Sequence, residues 1–513
     1  MRRLARSGAF AVLVASCVVA VLAAPDISGD RLLDHIKFLA SDELKGRNTG
    51  SEGMRQAAEY IAAQFKAAGL QPGWKGSWMQ PFDVEVGLAV GRENTLAISS
   101  RGMTVPLTLG ASYYPLSAVP NDDPAAVSTE LRDVPVVFAG YGLSVPRLSY
   151  DDYANIDVRD KAVLIFSHEP QEQDAGSRLN GNRALPETTL GAKARAARSH
   201  GARALLVVSD PTHRVDEANY RMFSFEPEAD NAGLPVLRMR RDELKPLLDA
   251  WGLDAIAREI DRDLVPRSRP LPDTVVRYVE HLAHNRRTVG NVVGILPGSD
   301  PAFASESVVL GAHYDHVGLG GRNSAAPELT GEIHNGADDN ASGTASIIEI
   351  AREAVRSRAR FPRTLIFIAF AAEERGLLGS EYYVRNAPLP IESSIAMLNL
   401  DMVGRSRGSV DVSGLETAPL LEADLAGAMR AVPDLKVVRE GPGAGRSDDS
   451  SFINRRVPAI NFFTGFHSDY HKPSDDWEKI DVEGTRRVAT LALEFAARIA
   501  ARAQRPVFVA PPR

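Results

Sequence analysis

Three nearly unbroken apolar runs, each ending in a group that can bind a cation or carry a proton, constrain this chain more than any other feature. VVLGA at 308–312 leads into His313, TLIFIAFAA at 364–372 into Glu373 and Glu374, and SIAMLNL at 394–400 into Asp401. None alternates polar with apolar residues, so each reads as a strand covered on both faces, the pattern of a parallel sheet inside an α/β fold. In open sheets of that kind, ligand-binding groups sit on the loops at the carboxyl ends of the strands. The runs therefore predict a sheet with polar, ionisable residues along one edge.

Helical periodicity supplies the covering layers. Ile347, Ile350, Ala351 and Ala354 mark one apolar face, and Val488, Ala492, Phe495 and Ile499 another. Ala58, Ile61, Phe65 and Ala68 mark a third, with Gly69 placed for a left-handed C-cap. The expected fold is a three-layer α/β sandwich with a mainly parallel central sheet.

Composition changes within the chain. A strand-like, turn-rich stretch from Phe82 to Leu116 gives way to the linker-like VPNDDPAAV. Short buried strands then follow (VPVVFAG, KAVLIFS, ARALLVVSD, GLPVLRM) with one short helix, AKARAARSHG. This reads as a separate α+β module over 118–271, inserted between residues 24–117 and 272–513 of the host domain. At 513 residues, 44% of them hydrophobic, the chain is long enough for more than one core. A net charge of -7 without a dense Lys/Arg stripe excludes a nucleic-acid partner.

The N-terminus combines Arg2, Arg3 and Arg6 with an apolar run and small residues ending at Ala23 and Ala24. That pattern predicts a signal peptide over 1–23 and a secreted or periplasmic protein. The run is shorter than the ~20 residues a stable membrane span needs. A lipid anchor at Cys17 is the alternative, because Val14, Ala15 and Ser16 loosely resemble a lipoprotein cleavage box. Cys17 is the single cysteine, so removal of the leader leaves only His and carboxylate donors for any metal.

Two further segments complete a set of six residues: Asp339 in GADDNASGTA and His471 in DYHKPSDDWEKI. Asp315, two residues after His313, is placed to reach the second nitrogen of a metal-bound imidazole. Asp338, Asp339 and Asn340 precede a helix that begins near Ser342, where capping needs only one such residue. Adjacent carboxylates at Glu373 and Glu374 would repel each other in a low-dielectric site unless one holds a cation and the other moves a proton. Spacing does not choose between Asp338 and Asp339, nor between His467 and His471, and His316 and His334 read as loop residues near the mouth.

The ordered motifs GAHYDHVG, GADDNASGT, AEERGLLGS, LNLDMVG and DYHKPSDD resemble the M28 family of co-catalytic zinc aminopeptidases, and LASDELKGRNTGSEG resembles that family's N-terminal segment. GYGLSVPRLSYDDYANIDVRDKAVLI followed by KARAARSHGARALLVVSD is similar to a protease-associated domain. The resemblance implies a first metal on His313 and Asp401, a second on Glu374 and His471, and Asp339 bridging both. It selects Asp339 by counting back from Ser342-Gly343, and implies a cis peptide bond after it. It selects His471 by its Tyr-His-x-Pro context. Glu373 would be the general base, Asp315 the partner of His313, and Tyr470 a support for the substrate carbonyl. One departure is Ser447-Asp448-Asp449, where the family often has Ser-Asp-His.

The same resemblance implies a secreted peptidase with two zinc ions, cobalt or manganese being substitutes, acting on peptides with a free N-terminus. A metallocarboxypeptidase or an aminoacyl cyclase on the same scaffold are the alternatives among enzymes. A non-catalytic binding protein should lack a ligand or the base, and this chain has them all.

Overall fold

The computed structural model describes residues 26–510 except 91–92, 118–125, 173, 180–185, 212–232, 321–323, 327–328, 330 and 441–446. The leader expected at 1–23, with Cys17, lies outside the described residues. Among the described residues, no helix is long and apolar enough to cross a membrane.

Four strands run parallel in the middle of the host domain. Ser307–His313 lies between Thr364–Phe370 and Ser394–Leu400, and Ser394–Leu400 also pairs in parallel with Ala459–Phe463. Their carboxyl ends share one edge, the edge that the apolar runs predict. Ser409–Ser413 extends the sheet antiparallel to Ala459–Phe463, with Lys436–Arg439 beyond it.

Continuous apolar sequence is explained by what covers each face. Val308, Leu310 and Ala312 pack with Leu365, Phe367 and Ala369 in one core, together with Ile347, Ile350, Val488 and Phe495 from the helices Gly343–Arg356 and Val482–Ala500. Val309, Ile366 and Ile368 point the other way, toward Tyr383, Val384 and Phe452. Both faces of these central strands are thus dry, which excludes polar alternation. The third predicted helix spans Glu52–Ala68, capped by the Ser51 hydroxyl accepting from the Met54 amide at 3.2 Å and by Gly69 at φ 95°.

Two further cores lie over the stretch expected to be an insert. Parallel strands Ala162–Phe166, Ala204–Val208 and Val236–Met239 lie beside the end of Ala126–Phe138. Leu164, Leu206 and Leu237 face one cluster and Val163, Leu205 and Val236 the other. Leu96, Ile98, Leu107 and Tyr113 pack into the first of these and Tyr114 and Leu116 into the second. The module's packing therefore starts upstream of the composition change at 118. One strand, Arg269–Leu296, pairs with Ala126–Phe138 in its first half and with Met79–Val90 and Thr364–Phe370 in its second.

Candidate metal centre

The shared edge gathers the six predicted residues. His313 Nε2 lies 3.2 Å from Asp339 Oδ1, 3.4 Å from Asp401 Oδ1 and 3.9 Å from Glu373 Oε2. His471 Nε2 lies 3.0 Å from Asp339 Oδ2 and 3.3 Å from Glu374 Oε1. The two oxygens of Asp339 thus face different donor pairs.

The turn that carries Asp339 divides its three polar residues among three tasks. Asn340 caps the helix, its Oδ1 accepting from the Gly343 amide at 2.9 Å while its Nδ2 donates to the Leu400 carbonyl at 2.9 Å. Asp338 faces away from the centre, accepting from the Gly404 amide at 2.6 Å and facing His467 Nε2 at 3.1 Å. Asp339 is left to point inward, and the Asp339–Asn340 peptide bond is cis. The alternatives that spacing leaves open are thereby separated: Asp338 and His467 contact each other, away from Asp339 and His471. Asp475 ties the His471 loop to this turn, its Oδ2 accepting from the amides of Asp338 and Asp339 at 3.0 and 3.2 Å.

Asp315 departs from expectation. The group at His313 Nδ1 is the backbone carbonyl of Asp315, at 3.1 Å, whereas its carboxylate is 3.9 Å away. Because the carbonyl can only accept, Nδ1 carries a proton, and Nε2 faces the carboxylates. The Asp315 carboxylate instead accepts from the Glu373 amide at 3.0 Å and from the Thr49 hydroxyl at 2.7 Å. It positions the expected base rather than the expected ligand.

His316, which reads from sequence as a loop residue near the mouth, is instead 1% exposed. Its Nδ1 lies 2.9 Å from Glu374 Oε1 and 3.9 Å from Asp339 Oδ2. The sequence signal that could have found it is its place one residue beyond Asp315, on a loop that leaves a central strand. His334 is buried as well but stays outside the donor set, bonding Ser324 Oγ at 2.8 Å.

Two more buried residues, Arg47 and Asp448, have no role assigned from sequence. Arg47, fully buried, donates to the carbonyls of Tyr314 at 2.9 Å, Asn335 at 2.7 Å and Gly336 at 3.0 Å, and also to Leu39. It pins the His313 and Asp339 loops together from within the N-terminal segment, and burial lowers its pKa to about 10. Asp448, also fully buried, has its carboxyl pushed up to about 7 by burial.

Electrostatics separate the adjacent glutamates. Burial holds Glu373 well above the usual carboxylate range against the opposing pull of His313, with Glu374, Asp401 and Asp448 adding to the rise. For Glu374 burial acts in the same direction but is outweighed by hydrogen bonds from His316 and His471, which bring it down to about 2. One is poised to hold a proton and the other to stay ionised.

The donors also fit divalent cations. Bonds of ~2.0–2.1 Å in a tetrahedron put neighbouring donors about 3.4 Å apart. His313 with Asp339 and Asp401, at 3.2 and 3.4 Å, and His471 with Asp339 and Glu374, at 3.0 and 3.3 Å, match that spacing. His313, Asp339, Glu373, Asp401, Tyr470 and His471 all line one cleft. Tyr470 lies against His471, ring centroids 3.9 Å apart, and Phe466 meets it edge-on at 4.9 Å.

Four parallel strands thus end beneath a cluster of imidazoles and carboxylates. Residues 291–496 match the model for peptidase family M28, and this part of the chain is an M28 peptidase domain. Over 190 residues the chain is 30% identical to leupeptin-inactivating enzyme 1 of Streptomyces exfoliatus, covering 37% of this chain and 38% of that protein. Its matched segment therefore spans well under half of that relative. The fold extends further. The aminopeptidase from Aneurinibacillus sp. strain AM-1 superposes with a TM-score of 0.53 at 24% identity, over 95% of this chain and 97% of that one. BSAP, a zinc aminopeptidase from Bacillus subtilis, gives 0.55 at 20% identity, over 92% and 94%.

Proposed function

We propose that the chain is an exported aminopeptidase that uses two zinc ions to remove N-terminal residues from peptides. The observation that carries this reading is Asp339, whose Oδ1 faces His313 at 3.2 Å while its Oδ2 faces His471 at 3.0 Å. In this reading His313, Asp339 and Asp401 hold one zinc and Asp339, Glu374 and His471 the other. Such a pair supplies Lewis acidity and acidifies water near neutral pH.

Glu373 takes the proton of the attacking water on its carboxylate and delivers it to the nitrogen of the leaving amine. Its backbone is held for this by Asp315. Tyr470, on the cleft wall, offers its hydroxyl to the substrate carbonyl oxygen. The acidic lining of the cleft favours an ammonium group, and so a free N-terminus. The inserted module is of the protease-associated type and narrows access, favouring peptides over folded proteins.

The deciding assay compares an amino-acid p-nitroanilide with an N-blocked peptide bearing a free C-terminus. Release from the anilide alone supports the aminopeptidase; release only from the blocked peptide points to a carboxypeptidase and sinks it. A length series ending in a folded protein tests the module, since equal rates throughout would remove its gating role. N-terminal sequencing of the mature protein tests export: an intact Met1 contradicts cleavage after Ala23.

A further inference from the structure

We propose that His316 is a fourth protein ligand of the second metal position, so that the two positions are unequal: one enclosed by four side chains, the other held by three. This rests on the two-metal reading above and adds a residue that the family motif does not supply.

His316 Nδ1 faces the same two oxygens as His471 Nε2. It lies 2.9 Å from Glu374 Oε1 and 3.9 Å from Asp339 Oδ2, where His471 Nε2 lies 3.3 and 3.0 Å from them. These four separations bracket the edge of about 3.4 Å expected for tetrahedral donors at ~2.0–2.1 Å from one ion. The rings of His316 and His471 are nearly perpendicular, at 85° with centroids 5.4 Å apart, so they converge on a common region instead of stacking. Donor atoms of His316, Asp339, Glu374 and His471 all lie within 4.8 Å of one another.

The backbone makes room for this ring. Gly336 sits at φ +58°, and a Cβ there would come within 2.5 Å of His316 Cδ2. Burial removes the alternative of a solvated imidazole. Two imidazoles and two carboxylates on one ion form a closed, four-coordinate set of the kind that binds zinc tightly, whereas His313, Asp339 and Asp401 leave a position open. The structure thus assigns tight retention to the second position and open coordination to the first.

The test uses the full mature chain, stripped and titrated with zinc against a chromophoric chelator, with zinc counted by mass spectrometry. Wild-type protein should hold two ions per chain. His316→Asn keeps a polar side chain but removes the imidazole ligand, and should weaken one ion by at least 100-fold while leaving the other unchanged. Zinc-edge X-ray absorption on the wild type should find three imidazoles shared by two ions, a readout that stands even if the variant fails to fold. Unchanged affinity for both ions in a folded His316→Asn, or only two imidazoles in the wild type, overturns the role of His316 while leaving the two-metal reading intact. A wild-type chain that holds no zinc at all removes both.

Discussion

Asp315 accepts the backbone amide of Glu373 at 3.0 Å, and Thr49 donates to the other oxygen of the same carboxylate at 2.7 Å. The carboxylate therefore acts on the position of the expected base, while the carbonyl of the same residue accepts from His313 Nδ1. Asp315→Ala keeps the carbonyl and loses the carboxylate. We expect metal content to stay at the wild-type value while kcat falls about 10- to 100-fold, the range for partners that orient a reacting group. Zinc analysis beside steady-state kinetics checks it, and lost metal would return Asp315 to the role the sequence suggested.

Glu373 and Asp339 should fail in different ways. Glu373→Gln keeps the shape and both expected zinc ions but cannot take a proton, so turnover should fall by at least ~100-fold. Asp339→Ala removes the group that faces both donor pairs and should lose metal itself. Metal counts on the two purified variants separate these outcomes, and an active Glu373→Gln would mean that another group is the base.

Metal removal should weaken the fold. The carboxylates of Asp339, Glu373, Glu374 and Asp401 converge on one cleft, and cations that bind the native state alone add stability by mass action, about 2.7 kcal/mol at a hundred times the dissociation constant. Dialysis against a chelator should lower the melting temperature, and zinc should restore it. An unchanged melting curve would argue that the cluster holds no ion.

A fourth expectation concerns Glu280, on the strand Arg269–Leu296. Burial raises the carboxyl of Glu280 from 4.5 to about 7, opposed by contacts to Tyr278 and Thr129. The native state then holds that proton more tightly than the unfolded chain, so its contribution is fully present below pH 4.5 and is lost as pH rises toward 7. The change is on the order of 3 kcal/mol at most. Glu280→Gln should flatten this part of the profile, and calorimetric melts at about pH 5 and about pH 8 would show it. A variant that tracks the wild type at both pH values would contradict the assignment.

Much of the centre was legible because it follows from local pattern. Apolar runs that stop at His313, Glu373 and Asp401 announce buried strands, and parallel pairing brings their ends together. What could not be read is what depends on through-space direction. Nothing in the order Asp338-Asp339-Asn340 says which side chain turns inward; that is decided by Gly404, Leu400 and His467, which lie 60 or more residues away. Arg47 is hidden for the same reason, because its partners are carbonyls, and a carbonyl leaves no trace in sequence. His316 differs again: its neighbour Asp315 was noticed, but whether the next side chain points to solvent or inward is set by the path of the loop.

The strand Arg269–Leu296 serves the expected insert with its first half and the sheet beneath the metal centre with its second. It is the spine of both, so the module cannot be lifted out at a seam. An engineer who trims this chain at a linker near residue 271 would sever a beam, leaving Met79–Val90 and the outer sheet edge with frayed pairing. Cassettes exchanged between relatives should carry residues 269–296 whole, with the strands from residue 95 onward, as one graft.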